Sequence, residues 1–276
     1  MRYAICNELF EGWPWERVCE YAASLGYTGI EIAPFTLADH ADEITPAKRQ
    51  EIRQTARKHG MEIIGLHWLL VKPPGFYITS PDAAIRKMTC AYFRSLISLC
   101  ADLGGNVLVI GSPKQRTLLP GVSRELAMQY AVEVFGGVMK EAMLREVVLA
   151  IEPLSPKLTD FLNTAEEGIE LIQHINHPNF RLHLDVSAMQ TEPTPIAQII
   201  KASAKHLVHF HANDLNQLGP GMGENPIAYP PILKALKDVG YDGWLSVEAF
   251  DFRPGAEVIA SESIRNLKRD LAAIGR

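Results

Sequence analysis

Four stretches of this chain end alike. VVLAIEPL (residues 147–154) runs through apolar residues into Glu152 and a proline, RLHLDVS delivers Asp185, LVHFHAND delivers His211, and GWLSVEAF delivers Glu248. Each reads as a buried strand carrying one ligand-type side chain near its C-terminal end. An ionised carboxylate in such an apolar setting is costly unless something compensates it. A lone Asp or Glu ending a strand more often caps a helix or closes a loop ion pair, but four in succession are hard to explain that way. Three carboxylates and one imidazole make an oxygen-rich donor set, which suits Mn²⁺ or Mg²⁺, admits Co²⁺ or Zn²⁺, and argues against a thiolate-type site. The expectation is one divalent metal ion held by Glu152, Asp185, His211 and Glu248.

These four residues lie 33, 26 and 37 positions apart, each about one strand–helix unit. Strand-like and helix-like segments alternate throughout, the signature of a parallel sheet. Strands are expected over residues 3–8, 29–34, 61–70, 106–110, 147–154, 180–186, 206–212 and 244–249. Helices are expected over 15–25, 46–59, 82–103, 123–145, 164–175, 194–204, 230–239 and 256–274. Thr45 and Pro46 suit a helix N-terminus, and Gly26 and Gly60 suit helix stops. A doubly wound sheet would usually announce a nucleotide loop after its first strand, and CNELFEG is no G-x-G-x-x-G. Eight units without a linker predict an α/β chain folded as a (β/α)8 TIM barrel, one domain over residues 1–276. Active sites of such barrels lie at the C-terminal strand ends. Neighbouring strands are about 4.8 Å apart there, so four consecutive ends can enclose one cation.

Strand alternation turns His183 and His209 inward beneath Asp185 and His211. His183 is expected to hydrogen-bond a ligand carboxylate; His209 could do the same or sit as a satisfied core histidine. His67 is expected to touch substrate or a ligand from strand three, as are Asn213 and Asp214 just beyond His211. Glu31, ending strand two, could face the same mouth or form a plain ion pair. Phe10, Trp13 and Trp15 could wall a sugar face or pack under a helix, and Phe250 shares that ambiguity. Lys114, Arg116 and Arg253 could hold a phosphate or carboxylate but read better as solvated surface charge, and GPGMG (219–223) reads as a flexible loop rather than a phosphate cradle.

Net charge is −5, with no Lys/Arg cluster, which argues against nucleic acid and for a small-molecule partner. Cys6, Cys19, Cys90 and Cys100 lack metal or disulfide spacing and suit free thiols in a reducing compartment. No apolar run reads as a signal peptide or a membrane span, so a soluble cytoplasmic protein is expected.

On IEP (151–153), LDVSAM (184–189), VHFHANDLN (208–216) and GYDGWLSVE (240–248), nearly the whole chain resembles the xylose isomerase-like barrel superfamily. That superfamily includes sugar isomerases and epimerases as well as endonuclease IV, and the nearest likeness is to ketose epimerases of the D-tagatose 3-epimerase type. The resemblance implies that Glu152, Asp185, His211 and Glu248 bind one divalent metal while Glu152 and Glu248 act as acid and base. The reaction implied is isomerisation or epimerisation of a sugar, ketose or keto-polyol through a metal-stabilised enediolate, in a homodimer or homotetramer. Three positions depart from the ketose epimerases: Ala188, Gln217 and Leu158 stand where those enzymes carry a substrate-gripping histidine, arginine and glutamate. A lyase or dehydratase acting on a keto-sugar or keto-inositol would use the same core. An endonuclease IV-like phosphodiesterase would need more histidines and a basic groove, and a Schiff-base aldolase would need a lysine inside a strand. A chain that binds metal without turnover is the remaining alternative.

Overall fold

Strands buried on both faces are largely apolar, as the eight runs of this chain are apart from a few polar side chains turned into the lumen. The computed structural model describes residues 1–275. Its strands are β1 (Arg2–Cys6), β2 (Gly29–Ile32), β3 (Glu62–Leu66), β4 (Val107–Ile110), β5 (Val148–Ile151), β6 (Phe180–Asp185), β7 (Leu207–Ala212) and β8 (Trp244–Val247). Between them run α1 (Trp15–Leu25), α2 (Pro46–Lys58), α3 (Ala83–Leu103), α4 (Arg124–Gly136), α5 (Met139–Leu144), α6 (Ala165–Ile175), α7 (Val186–Met189), α8 (Ile196–Ser203), α9 (Tyr229–Asp238) and α10 (Ala256–Ile274). Each strand pairs in parallel with the next, and β1 pairs with β8, so the sheet closes into the expected single-domain (β/α)8 barrel.

Local chemistry sets the ends of these elements. Thr45 caps α2 by accepting from the Lys48 N–H, and Gly26 ends α1 at φ 95°. Three boundaries differ from expectation in ways that matter at the mouth. The third strand stops at Leu66, so His67 and Trp68 leave the sheet, Trp68 at φ 54°. The helix expected over 123–145 breaks between α4 and α5, where Gly136 and Gly137 combine two residues of poor helix propensity. β6 ends at Asp185, whose carboxylate accepts from the Ala188 N–H and caps the one-turn α7. Glu152 and Glu248 stand one residue beyond β5 and β8.

Between strands and helices lies a continuous apolar layer, in which Phe93, Phe135 and Phe180 stack with ring centroids 5.4 and 5.1 Å apart. The bottom of the lumen is plugged separately by Ala4, Ile64 and Trp244. Gly29 makes room for the plug: a Cβ there would lie 2.7 Å from the Trp244 ring and 2.9 Å from the Ala4 Cβ. Overpacking a tight core typically costs about 1–3 kcal/mol. Gly29→Ala should therefore lower the urea midpoint of unfolding by a corresponding amount; an unchanged midpoint would show that the plug yields freely.

Candidate metal centre

Register places the polar side chains of the upper lumen. Across β6 and β7, His183 pairs with His209 and Asp185 with His211; across β7 and β8, His211 pairs with Ser246. Glu31 reaches this group from β2 on the far side of the lumen and is fully buried. Its Oε2 accepts from Ser246 Oγ at 2.9 Å and meets His209 Nε2 at 2.8 Å, while both its oxygens lie 3.1–3.2 Å from His211 Nε2. An ionised carboxylate only accepts, so the His211 Nε2 carries a hydrogen and the Nδ1 turns toward the mouth. There the Nδ1 stands 2.9 Å from Glu248 Oε2. Burial alone would raise the pKa of Glu31, but His209 and His211 outweigh it and hold the carboxyl well below its ordinary range. Burial likewise opposes charge on His211, yet Glu248 and Glu31 hold its pKa well above that of a free imidazole.

Glu152 and Asp185 lack such a partner. Asp185 Oδ2 accepts from Asn213 Nδ2 at 2.6 Å, and its pKa is raised to about 6 by burial and by Glu248. The pKa of Glu152 is raised well above the usual range by burial, then by Asp185 and Glu248. Glu248 is the opposite case: burial opposes its charge, but His211 outweighs it and lowers the pKa. Single ligand atoms of Glu152, His183, Asp185 and His211 all lie within 4.8 Å of one another. Both ring nitrogens of His183 are buried without a hydrogen-bond partner among the described residues. Burial and the neighbouring His211 and His209 push the pKa of His183 well below its ordinary value, leaving a neutral ring with a lone pair. Repelling carboxylates beside an orphaned imidazole are what a dication would satisfy, so this donor set fits one; Glu248, expected as a ligand, stands outside the group and adjoins it through His211 Nδ1.

The structure corrects several expectations about single residues. His183 makes no hydrogen bond to a carboxylate, since its Nε2 is 3.9 Å from Glu152 Oε1. Asn213 does touch Asp185, and it also accepts from the Ser187 N–H. Asp214 instead ties the loop before α9 by accepting from the N–H groups of Leu215 and Ile227. Trp15 faces away from the mouth: its Nε1 donates to the Ile52 carbonyl because its place at the start of α1 turns it toward α2. Phe10 and Trp13 pack against Tyr21 of α1. Phe250 lies at the rim, its ring centroid 6.3 Å from that of Trp68, and Trp68 in turn is 5.9 Å from Phe35.

Arg116 was expected in solvent and is fully buried. A turn beginning at Pro113 folds it back, and the only hydrogen-bond acceptor of its guanidinium among the described residues is the Leu162 carbonyl at 3.5 Å. Burial lowers its pKa to about 10, with Glu152 and Glu167 acting in the other direction. Two mouth residues escaped the sequence reading. Glu8 meets His67 Nε2 at 2.7 Å; it follows an apolar strand just as the other acids do, and the same rule would have found it. Trp68 donates its Nε1 hydrogen to Glu248 Oε1 at 2.8 Å, and no sequence signal marks it.

Comparison with known proteins agrees with this architecture. Residues 19–270 match the family described as xylose isomerase-like TIM barrel. The D-psicose 3-epimerase of Agrobacterium fabrum is 30% identical over 236 residues, covering 84% of this chain and 78% of that protein. The probable ketose 3-epimerase of Synechocystis sp. is 26% identical over 238 residues, covering 86% of this chain and 79% of that protein. Among solved structures, a D-psicose 3-epimerase in the presence of D-fructose superposes with a TM-score of 0.85 at 22% identity, covering 98% of this chain and 99% of its own. An L-ribulose 3-epimerase gives 0.85 at 19% identity, covering 100% and 96%. At those identities the two structures speak to the fold.

Removing one partner from a buried ion pair typically costs about 3–5 kcal/mol. Glu31→Gln should therefore destabilise the metal-free protein by about that much near neutral pH, read by urea unfolding in chelator. Because the pKa of Glu31 is depressed by folding, its contribution is full above the ordinary carboxylate range and is lost as pH falls below it. The two unfolding curves should converge in acid. A constant gap would assign the effect to packing rather than charge.

Proposed function

The chain belongs to the xylose isomerase-like TIM barrel family, and from that premise we propose a divalent-metal-dependent epimerase or isomerase of a ketose or keto-polyol. Glu152, Asp185, His211 and Glu248 hold the ion, and Glu152 and Glu248 exchange protons with the substrate. What carries this reading is the order of the four side chains around the mouth: the two glutamates, on β5 and β8, are the outer members of a row whose centre is Asp185 and His211. A substrate lying over that row has a carboxylate at each end. The relatives named as ketose 3-epimerases support the same reaction class.

A bound dication, Mn²⁺ or Mg²⁺ by the hardness of the oxygen-rich set, would polarise the ketose carbonyl and offset the charge that builds when the neighbouring carbon loses its proton. The protein's own groups do the rest. Glu248 is fixed through both oxygens, Oε1 by Trp68 and Oε2 by His211, so its lone pairs are aimed before substrate arrives. Glu152 is free of such ties because the neighbouring β4 end offers no side chain. A Cβ on Gly111 would lie 2.5 Å from Glu152 Oε2. One carboxylate removes a proton from carbon, and the other returns one. Return to the opposite face of the same carbon epimerises, and return to the neighbouring carbon isomerises. Phe35, Trp68 and Phe250 form an aromatic row at the rim.

Ala188, Gln217 and Leu158 stand where the resemblance to ketose epimerases implies substrate-gripping side chains. Leu158 is 57% exposed, and the Gln217 backbone carbonyl is taken by the N–H groups of Phe250 and Asp251. The sugars named for the relatives therefore do not carry over, and substrate choice has to be screened.

With the dication bound, turnover of a ketose or keto-polyol panel in D₂O should place deuterium on carbon. A positioned acid or base typically contributes about 10²–10⁴-fold in rate, so Glu152→Gln should lose that much kcat along with the exchange. Full activity in that variant would refute the acid/base roles. Gly111→Ala, which crowds Glu152, should lower kcat by about 10- to 100-fold with little change in KM; an unaltered kcat would mean that Glu152 works from another position.

A further inference from the structure

A second cluster of ligand-type side chains stands beside the first. Cys6 ends β1, Glu8 lies on the turn that follows, His67 leaves β3, and Glu248 follows β8. One ligand atom from each lies within 4.8 Å of all the others. All four are buried, from 0% exposure at Cys6 to 4% at Glu8 and Glu248. They are chemically incomplete among themselves. His67 Nε2 meets Glu8 Oε2, but Glu8 Oε1 and His67 Nδ1 are buried with no partner among the described residues. Cys6 Sγ makes weak sulfur hydrogen bonds to Ser246 Oγ at 3.6 Å and His211 Nε2 at 3.9 Å, and it faces the same space as Glu8 and His67.

A simple ion pair between Glu8 and His67 accounts for one hydrogen bond and leaves Glu8 Oε1 and His67 Nδ1 bare beside a thiol. A cation would take up the bare atoms and the thiol together. Ligands of a tetrahedral ion bound at about 2.0–2.3 Å stand about 3.3–3.8 Å from each other. The cluster needs only about 1 Å of contraction, within reach of small side-chain rotations, to close on one. We propose a second cation site formed by Cys6, Glu8, His67 and Glu248, adjoining the first and sharing Glu248 with it. The reading of the first centre enters only through that shared glutamate. Glu248 is built for a shared role: Oε2 faces His211 of the first centre, and Oε1 faces Trp68, the residue after His67.

The donors define the ion. A thiolate and an imidazole beside two carboxylates favour Zn²⁺ or Co²⁺, a softer choice than the oxygen-rich first set. Cys6 enters as the thiolate, its proton passing to solvent as the ion binds, with no change of oxidation state. The ligands come from β1, β3 and β8, distant in sequence and adjacent only once the barrel has closed.

The test uses the full-length protein, stripped with chelator and titrated with Co²⁺. Two ions per chain at saturation are expected, with a near-ultraviolet thiolate-to-cobalt band that develops with one of them. Cys6→Ser should abolish the band and reduce the stoichiometry to one, although Cys19, Cys90 and Cys100 remain. Glu8→Gln, which keeps the thiol, should weaken the band-forming ion at least tenfold. Asp185→Asn should remove the other ion and leave the band, which separates failure of this proposal from failure of the first centre. One ion per chain with no thiolate band in the unaltered protein, or a band that survives Cys6→Ser, would overturn the second site, whereas one ion with a Cys6-dependent band would overturn the first centre instead. Stoichiometry and band in the unaltered protein decide the matter even if a variant fails to fold.

Discussion

The upper half of this barrel depends on one buried contact, between the Glu31 carboxylate and the His211 imidazole. A charge as deeply buried as Glu31 is unaffordable in an apolar lumen, and it survives because His209, His211 and Ser246 all converge on it. Glu31 in turn decides which nitrogen of His211 faces the mouth, and through that nitrogen fixes Glu248. The contact spans the lumen from β2 to β7, joining halves of the barrel that the backbone ladder connects only around the rim. Apolar plug below and charged chain above divide the interior by function: the Trp244 layer holds the shape, and the Glu31 layer aims the side chains.

The barrel was legible because each of its strands is an apolar run short enough to be unambiguous and is followed by a separate helical pattern. Glu152, Asp185, His211 and Glu248 were legible for the same reason, since a carboxylate or imidazole closing such a run stands out against it. What stayed hidden follows from geometry that no local pattern encodes. The contact of Glu31 with His209 crosses 178 positions of sequence, so its depth could not be judged from its neighbours. Arg116 sits among lysine and glutamine in a loop that looks solvated, and only the fold-back from Pro113 buries it. Trp68 depends on a strand ending four residues earlier than its apolar run, because a left-handed backbone at Trp68 itself turns the chain out. The helix break at Gly136 and Gly137 was written in the sequence and was overridden by the longer periodic pattern around it.

On the proposed reading, proton-moving groups and substrate-holding groups occupy different parts of this mouth. The row from Glu152 to Glu248 sits on strand ends whose positions are held by the sheet ladder and the lumen network. The rim beyond that row is made of Phe35, Trp68 and Phe250, which lie outside the strands. The carbonyl of Gln217 couples two loops by accepting from Phe250 and Asp251, so the segments after β7 and β8 are held as one piece. Such a division lets chemistry stay constant while the sugar changes.

The cross-lumen contact also bears on how the chain is made. Synthesis delivers β1 to β4 first, bearing Cys6, Glu8, Glu31 and His67, while the partners of Glu31 emerge only with β7 and β8. A half barrel released early would have to dry an uncompensated carboxylate to close on itself, so burying the lumen is unfavourable until the last strand arrives. The same charge that orders the finished mouth thus discourages premature collapse of the nascent chain and makes ring closure the step at which the interior first becomes tolerable.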